Sequence, residues 1–179
     1  MAATVTAWHA EHARFRRLLE LLDREVAKFH LDEHPDYELM RDIVHYLRKF
    51  SDQFHHPRED VAFSRLAERD PAMRLPVARL QQEHRVIAAA GEALLARLDD
   101  VAAEVVVERT AVEAAAATYL VYYRHHIATE ENEVLPRAAE LLDQRDWAAV
   151  SVAGPVPVDP LSRTDVETRY AELKRRLAS

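Results

Sequence analysis

Apolar residues recur along this chain at intervals of three and four, the spacing that places side chains on one face of an α-helix. Three such stripes stand out, running from Trp8 to Phe29, from Val77 to Leu98 and from Val112 to Val134. Each stripe is continuous only if less apolar members are counted: His12 in the first, His84 and Gly91 in the second, His126 and Glu130 in the third. The pattern therefore predicts three long helices whose buried faces carry histidines.

A further helix is expected between the first two stripes, over about residues 36–69. Pro35 is suited to its first turn. Pro57 should bend it, because a proline inside a helix leaves a carbonyl of the preceding turn without a donor. Asp70 and Pro76 then bracket a short break before the next helix.

Composition agrees with an all-helical fold. Only 2 of the 179 residues are glycine, and 49% are hydrophobic. The predicted fold class is all-α, an up-down-up-down four-helix bundle over residues 1–150, with a proline-rich linker and an extra C-terminal helix over residues 151–179. Ser162 or Thr164 can cap that last helix, which should end near Leu177.

Charge and cysteine content narrow the function. The net charge of −7 and the scattered basic residues argue against a nucleic-acid partner. No run of 18 apolar residues and no signal-like start are present, so we expect a cytoplasmic protein without a membrane partner. Since the chain has no cysteine, any metal must be held by histidine and carboxylate alone.

The two halves of the chain repeat one set of polar residues. The repeated triplets are His12, His55 and Glu59 in the first half and His84, His126 and Glu130 in the second, offset by 72, 71 and 71 residues. Counting about 1.5 Å per residue places all four histidines roughly 26 Å from the same end of the bundle. Each step of four residues from histidine to glutamate keeps both side chains on one helix face.

Four imidazoles and two carboxylates meeting in a core form a suitable site for first-row transition metals. Two unpaired buried carboxylates would cost several kcal/mol each, so a cation is needed between them. A carboxylate from each of two facing helices can bridge two ions. The residues therefore predict a pair of metal ions.

The motifs resemble the hemerythrin-like, or HHE cation-binding, family. The matching stretches are EH at 11–12, HHPRED at 55–60, QEH at 82–84, HIATEE at 126–131 and VLP at 134–136. The resemblance implies a four-helix bundle around a non-haem di-iron centre bridged by the two carboxylates. By motif position, it assigns metal-ligand roles to His12, His55, Glu59, His84, His126 and Glu130.

One departure from the family pattern concerns the third helix. Oxygen-carrying hemerythrins resemble this chain but supply two histidines four residues apart there, whereas His84 has Leu80 and Ala88 at those positions. Water or a neighbouring histidine could complete the second metal. An open position argues for a sensor, a scavenger or a weak redox catalyst over a reversible O₂ carrier.

Several assignments stay open at this point. His55 is favoured over His56 by alignment with His126, although His56 pairs equally well with Asp60. Glu131 could replace Glu130 if the helix is locally unwound.

Other nearby side chains are weaker candidates. His9 could be an extra ligand, but an exposed position is favoured. His125, rotated about 100° from the ligand face, is expected near solvent or behind the ligands. Tyr119 and Tyr123 lie inward, where core packing is the default and a hydrogen bond near the metals is the alternative.

Three functions are compatible with these features. The favoured one is a non-haem iron protein that binds or senses O₂, NO, iron or redox state. An oxidoreductase acting on peroxide, O₂ or NO is the first alternative. The second is a metal-sensing interaction module, whose protein partner the sequence does not identify.

Overall fold

A computed structural model describes residues 2–31, 33–153, 159–162 and 168–178 of the chain. All regular secondary structure in these ranges is helical, which confirms the predicted all-α class. None of the helices within them is both long and apolar enough to cross a membrane.

Four bundle helices make up most of the molecule, and two of them are interrupted by π-helical segments. The first bundle helix is α1 (Ala2–Ala27). The second consists of α2 (Tyr37–Leu47), the first π segment (Arg48–His55) and α3 (His56–Arg69). The third is α4 (Arg74–Ala102). The fourth consists of α5 (Arg109–Thr129), the second π segment (Glu130–Val134) and α6 (Leu135–Leu141).

Each bundle helix packs against the next, and the fourth packs back against the first. This cyclic arrangement of consecutive helices is the predicted up-down-up-down bundle. The bundle encloses one layer of polar side chains between two apolar clusters. Along α1, for example, His12 lies between Trp8 of one cluster and Phe15 of the other. The candidate chemistry is therefore inside the core.

Two prolines do not lie where the sequence places them. Asp36 is the N-cap of α2 and accepts a hydrogen bond from the backbone N–H of Leu39, so the prediction of Pro35 in the first helical turn is wrong. Pro76 lies within the first turn of α4, instead of in a break. A proline is tolerated there because the first N–H groups of a helix have no intrahelical acceptor.

The chain after the bundle adds two more helices, α7 (Gln144–Val152) and α8 (Thr168–Ala178). The expected C-terminal helix is thus present, whereas α7 was not predicted. A 3₁₀ turn, Pro160–Ser162, contains one predicted cap, Ser162; the other, Thr164, and linker residues 154–158 lie outside the described residues. Tyr170 and Leu173 of α8 are buried in the larger apolar cluster. The division at residue 150 stays a prediction.

Candidate metal centre

In the second and fourth bundle helices, a π segment ends two residues before a proline. In the first, the N–H of His56 donates to the carbonyl of Ser51, five residues back. Pro57, which has no N–H to donate, follows directly, and the second π segment likewise ends two residues before Pro136. The disturbance predicted at Pro57 therefore takes the form of a wider helical turn. Both His55 and His56 are buried there.

The four predicted histidines meet in the polar layer. The Nε2 atoms of His12 and His55 are 2.8 Å apart, and the rings of His84 and His126 have centroids 4.6 Å apart. All four residues are at most 5% exposed. The expectation that they lie at one level of the bundle is confirmed.

Glu59 and Glu130 lie between the two histidine pairs, and neither is exposed at all (0% each). Glu59 has Oε1 3.0 Å from Nε2 of His55 and Oε2 3.8 Å from Nε2 of His84. Glu130 has Oε1 3.1 Å from Nε2 of His126 and Oε2 3.4 Å from Nε2 of His12. Each carboxylate thus turns one oxygen toward each pair.

The donor atoms divide into two groups that can each hold a metal ion. One group contains His12, His55 and Glu59, and the other contains His56, Glu59, His84 and His126. Within each group the possible ligand atoms all lie within 4.8 Å of one another. The imidazole of His56 stacks on that of His84, with centroids 4.0 Å apart and planes inclined by 12°. A fifth histidine therefore joins the centre.

Several inward atoms lack an aligned hydrogen-bond partner among the described residues. They are both carboxylate oxygens of Glu59, one of Glu130 and Nε2 of His126. These atoms are close to one another yet poorly aligned for hydrogen bonds, and an unsatisfied buried carboxylate is costly. A shared cation would satisfy them together, so the residues present fit a metal centre.

The electrostatics of the centre also favour positive charge. Burial alone would lower the pKa of His55, but the Glu59 carboxylate and a hydrogen bond to Glu11 outweigh it and raise the pKa to about 9. His126 behaves in the same way, with Glu130 as the main opposing charge and a pKa of about 10. Burial acts to raise the pKa of Glu59, yet His55 and His12 hold it well below its usual value.

His56 differs from these histidines. Burial, reinforced by His84 and His126, lowers the pKa of His56 well below its usual value. Its Nε2 lies 2.9 Å from the Ser51 hydroxyl, and its Nδ1 lies 3.6 Å from Asp52. The lowered pKa favours the neutral imidazole of His56, in which one ring nitrogen carries a lone pair.

The remaining candidate side chains, whose roles the sequence does not decide, lie in different surroundings. Glu131 points away from the centre, with Oε2 2.6 Å from Arg16, so the local unwinding does not let it replace Glu130. His9 is 46% exposed and contacts Glu131, and His125 is exposed. Tyr119 and Tyr123 are fully buried, as predicted.

His56 is the residue for which the structure differs most from the sequence prediction, which favours His55 in its place. The structure brings both into the polar layer. Two features of the sequence indicate this position of His56: the histidines are paired, and a proline directly follows them. The proline disturbs the regular helical register on which the preference for His55 depends.

Comparison with known families gives a match that covers most of the chain. Residues 3–138 match the hemerythrin HHE cation-binding domain, a range that contains every residue of the polar layer described above. Comparison with curated proteins and with solved structures gives no match. The chain belongs to the hemerythrin HHE cation-binding family.

Proposed function

We propose that this protein binds two non-haem iron ions, bridged by Glu59 and Glu130, and uses them to bind or sense O₂ or NO. The observation that carries the proposal is the orientation of the two carboxylates. Each has one oxygen toward the pair His12 and His55 and the other toward the second histidine group. A bridging carboxylate requires such a divided orientation.

The two ions would have different protein ligands. His12 and His55 would hold the first, and His84 and His126 the second, with His56 as an added nitrogen ligand. His56 would compensate for the histidine absent from the third bundle helix. The first ion then has fewer nitrogen ligands, which leaves room there for a small molecule.

When bound, the iron pair supplies redox chemistry and coordination positions for a diatomic ligand. The protein contributes a dry, shaped environment for them. The rings of Trp8 and Phe15 lie edge-on to His55, at 6.2 and 5.2 Å between centroids, and both side chains are buried. These rings exclude water from the side of the centre with fewer nitrogen ligands.

Anaerobic loading with Fe²⁺ followed by addition of O₂ or NO tests this proposal. We expect new absorption in the near ultraviolet and visible with each gas, reversed when the gas is removed or the protein is reduced. His126→Gln should abolish the response, whereas His125→Gln, which changes the exposed neighbour, should retain it. A loaded protein whose spectrum neither gas alters would contradict gas binding.

An oxidoreductase acting on peroxide, O₂ or NO is the second candidate, favoured by polar groups buried beside the centre. Tyr123 lies 6.0 Å from His56 between ring centroids, and its hydroxyl and that of Tyr119 lack an aligned partner among the described residues. Such hydroxyls can donate protons to a bound substrate. Peroxide turnover far above that of free iron, and lost in Tyr123→Phe, would favour this function.

A sensing module is supported by one contact of the C-terminal helix. The Tyr170 ring of α8 lies 6.3 Å from that of Phe50 in the first π segment, which also contains His55. Hydrogen exchange of α8 that changes on metal loading would support signalling through it, and unchanged exchange would count against it. The cytoplasmic location and the lack of a nucleic-acid partner stay predictions from the sequence.

A further inference from the structure

A second set of carboxylates surrounds the centre, one on each bundle helix. Each of the four predicted ligand histidines has its Nδ1 atom within hydrogen-bond distance of one of them. The pairs are His55 with Glu11 at 2.5 Å, His84 with Asp60 at 2.9 Å, His126 with Glu83 at 3.2 Å and His12 with Glu131 at 3.2 Å.

These four contacts form a closed ring around the bundle. The carboxylate of the first bundle helix bonds a histidine of the second, the second bonds the third, the third bonds the fourth, and the fourth bonds the first. We call Glu11, Asp60, Glu83 and Glu131 the outer ring. Every interface between neighbouring bundle helices contains one member.

The position of the outer ring follows from the sequence. Each member directly adjoins a residue that faces the centre, as Glu11 adjoins His12 and Asp60 adjoins Glu59. A step of one residue turns a helical side chain by about 100°, which directs it toward the neighbouring helix. The outer ring also repeats between the halves of the chain, with offsets of 72 and 71 residues.

We propose that the outer ring consists of positioning residues that hold each histidine as the Nδ1–H form and aim its Nε2 lone pair at the metals. This inference rests on the proposed metal binding and extends it to residues that do not touch the ions. A carboxylate that accepts the Nδ1–H fixes both the tautomer and the ring orientation and makes Nε2 a better donor. The ring would thereby couple all four bundle helices to metal affinity.

Two members of the outer ring are themselves held by arginines. Arg58 donates to both carboxylate oxygens of Glu11, at 3.0 and 3.3 Å. Arg16 donates to Glu131 at 2.6 Å. Glu83 has no arginine hydrogen-bonded to it among the described residues, and its hydrogen bond to His126 lowers its pKa. A substitution at Glu83 therefore disturbs fewer other contacts than one at Glu11 or Glu131.

The tautomers of the wild-type protein test the proposal without any substitution. The probe is Zn²⁺, which is diamagnetic and accepts the same ligand types. Long-range ¹H–¹⁵N spectra of the zinc-loaded protein should show Nδ1 protonated and Nε2 bound to metal for all four histidines. Metal bound through Nδ1 in any of them would overturn the proposal.

Substitution at Glu83 tests the effect on affinity. Glu83→Ala should weaken zinc binding, measured by competition with a chelator, by about 10- to 100-fold. Glu83→Gln should recover part of the loss, since its amide oxygen can still accept the Nδ1–H. Glu92→Ala removes an exposed carboxylate from the same helix and should leave the affinity unchanged.

The outcomes separate this inference from the proposed function. If the wild type and Glu83→Ala bind zinc equally tightly, the positioning role is wrong while metal binding stands. If the wild type binds neither zinc nor iron, the proposed function is wrong and the positioning role falls with it. Equal helix content of the variants by circular dichroism shows that any loss of affinity does not come from unfolding.

Discussion

The Nε2 atoms of His12 and His55 face each other at 2.8 Å in a region where each side chain is 1% exposed. Both rings turn Nδ1 outward to a carboxylate, Glu131 for His12 and Glu11 for His55. With Nδ1 protonated, the two Nε2 lone pairs point at the same place and repel unless a proton or a metal ion lies between them. In the metal-free protein the raised pKa of His55 supplies that proton, and a metal ion that binds here takes its place.

Metal should stabilise the fold, because an ion that binds the folded chain and not the unfolded one raises the free energy of unfolding. At a free metal concentration 100 times the dissociation constant, the free energy of unfolding should rise by about 2.7 kcal/mol per site. For a protein of this size the melting temperature should then rise by roughly 5–10 °C. Thermal unfolding followed by circular dichroism, with and without Zn²⁺, measures this. Mg²⁺, which prefers oxygen ligands, serves as the control and should have little effect; an equal shift with both ions would contradict specific binding.

Replacing His56 should affect one metal more than the other. We expect His56→Gln to weaken the second site at least tenfold, because that site loses one of three imidazoles, while the site at His12 and His55 is retained. Titration with Co²⁺, whose absorption reports coordination, should show that the wild-type step from the site with three imidazoles is weakened in His56→Gln while the other step is unchanged. His125→Gln should behave as the wild type, and unchanged binding by His56→Gln would remove it from the ligand set.

Asp52 should make the stability of the metal-free protein depend on pH. Burial raises the pKa of Asp52 to about 7, a rise only partly opposed by Arg48. The folded state therefore holds a proton that the unfolded state releases near pH 4, so the free energy of unfolding falls as the pH rises from about 4 to 7. This contribution is fully present below the unfolded pKa and lost above pH 7.

Asp52→Asn isolates that contribution. When the pH is raised from 5 to 8, the free energy of unfolding of the variant should increase by roughly 3 kcal/mol relative to that of the wild type. Urea unfolding of both metal-free proteins at the two pH values measures the difference and cancels the titration of groups they share. A stability difference that does not change with pH would show that Asp52 is not protonated in the folded state.

Gly91 is required by the approach of two side chains to α4. A Cβ there would lie 3.0 Å from Cε2 of Tyr119 and 3.3 Å from Cγ of Arg48, and the fully buried Tyr119 ring has little room to move. Alanine is the better helix former by about 1 kcal/mol, but we expect overpacking to outweigh this gain. Gly91→Ala should lose roughly 1–2 kcal/mol net.

Thermal unfolding of the wild type, Gly91→Ala and Ala93→Gly tests this prediction. Gly91→Ala should melt below the wild type, by several degrees. Ala93→Gly, at an exposed position of the same helix, should cost about 1 kcal/mol through helix propensity alone. If Gly91→Ala melts higher than the wild type, the space beside Tyr119 is larger than the contacts indicate.

The bundle and the level of the centre were predictable because their signals are local and repeated. Stripes at three and four residues fix the buried face of each helix, and the repeated triplets place His12 and His84 at one level. What escaped prediction depends on departures from the regular α-helix. The π segment before Pro57 brings His56 beside His84. A regular period of 3.6 residues, which favours His55 over His56, does not predict the helical register that follows a π segment.

Contacts between helices were the other part that the sequence did not provide. The outer ring consists of charged residues next to inward ones, such as Glu83 beside His84, which along the chain look like ordinary solvent-facing positions. Only the packing of neighbouring bundle helices shows that Glu83 meets His126. The same applies to α8, where the buried Tyr170 contacts Tyr46 of the second bundle helix.

Metal content tests the central claim most directly. The protein should be purified without chelators, its iron, zinc and manganese measured by elemental analysis, and its optical spectrum recorded in air and after reduction. We predict two irons per chain, with absorption in the near ultraviolet that is lost on reduction. One iron per chain, or zinc alone, without such absorption would contradict a carboxylate-bridged iron pair between Glu59 and Glu130.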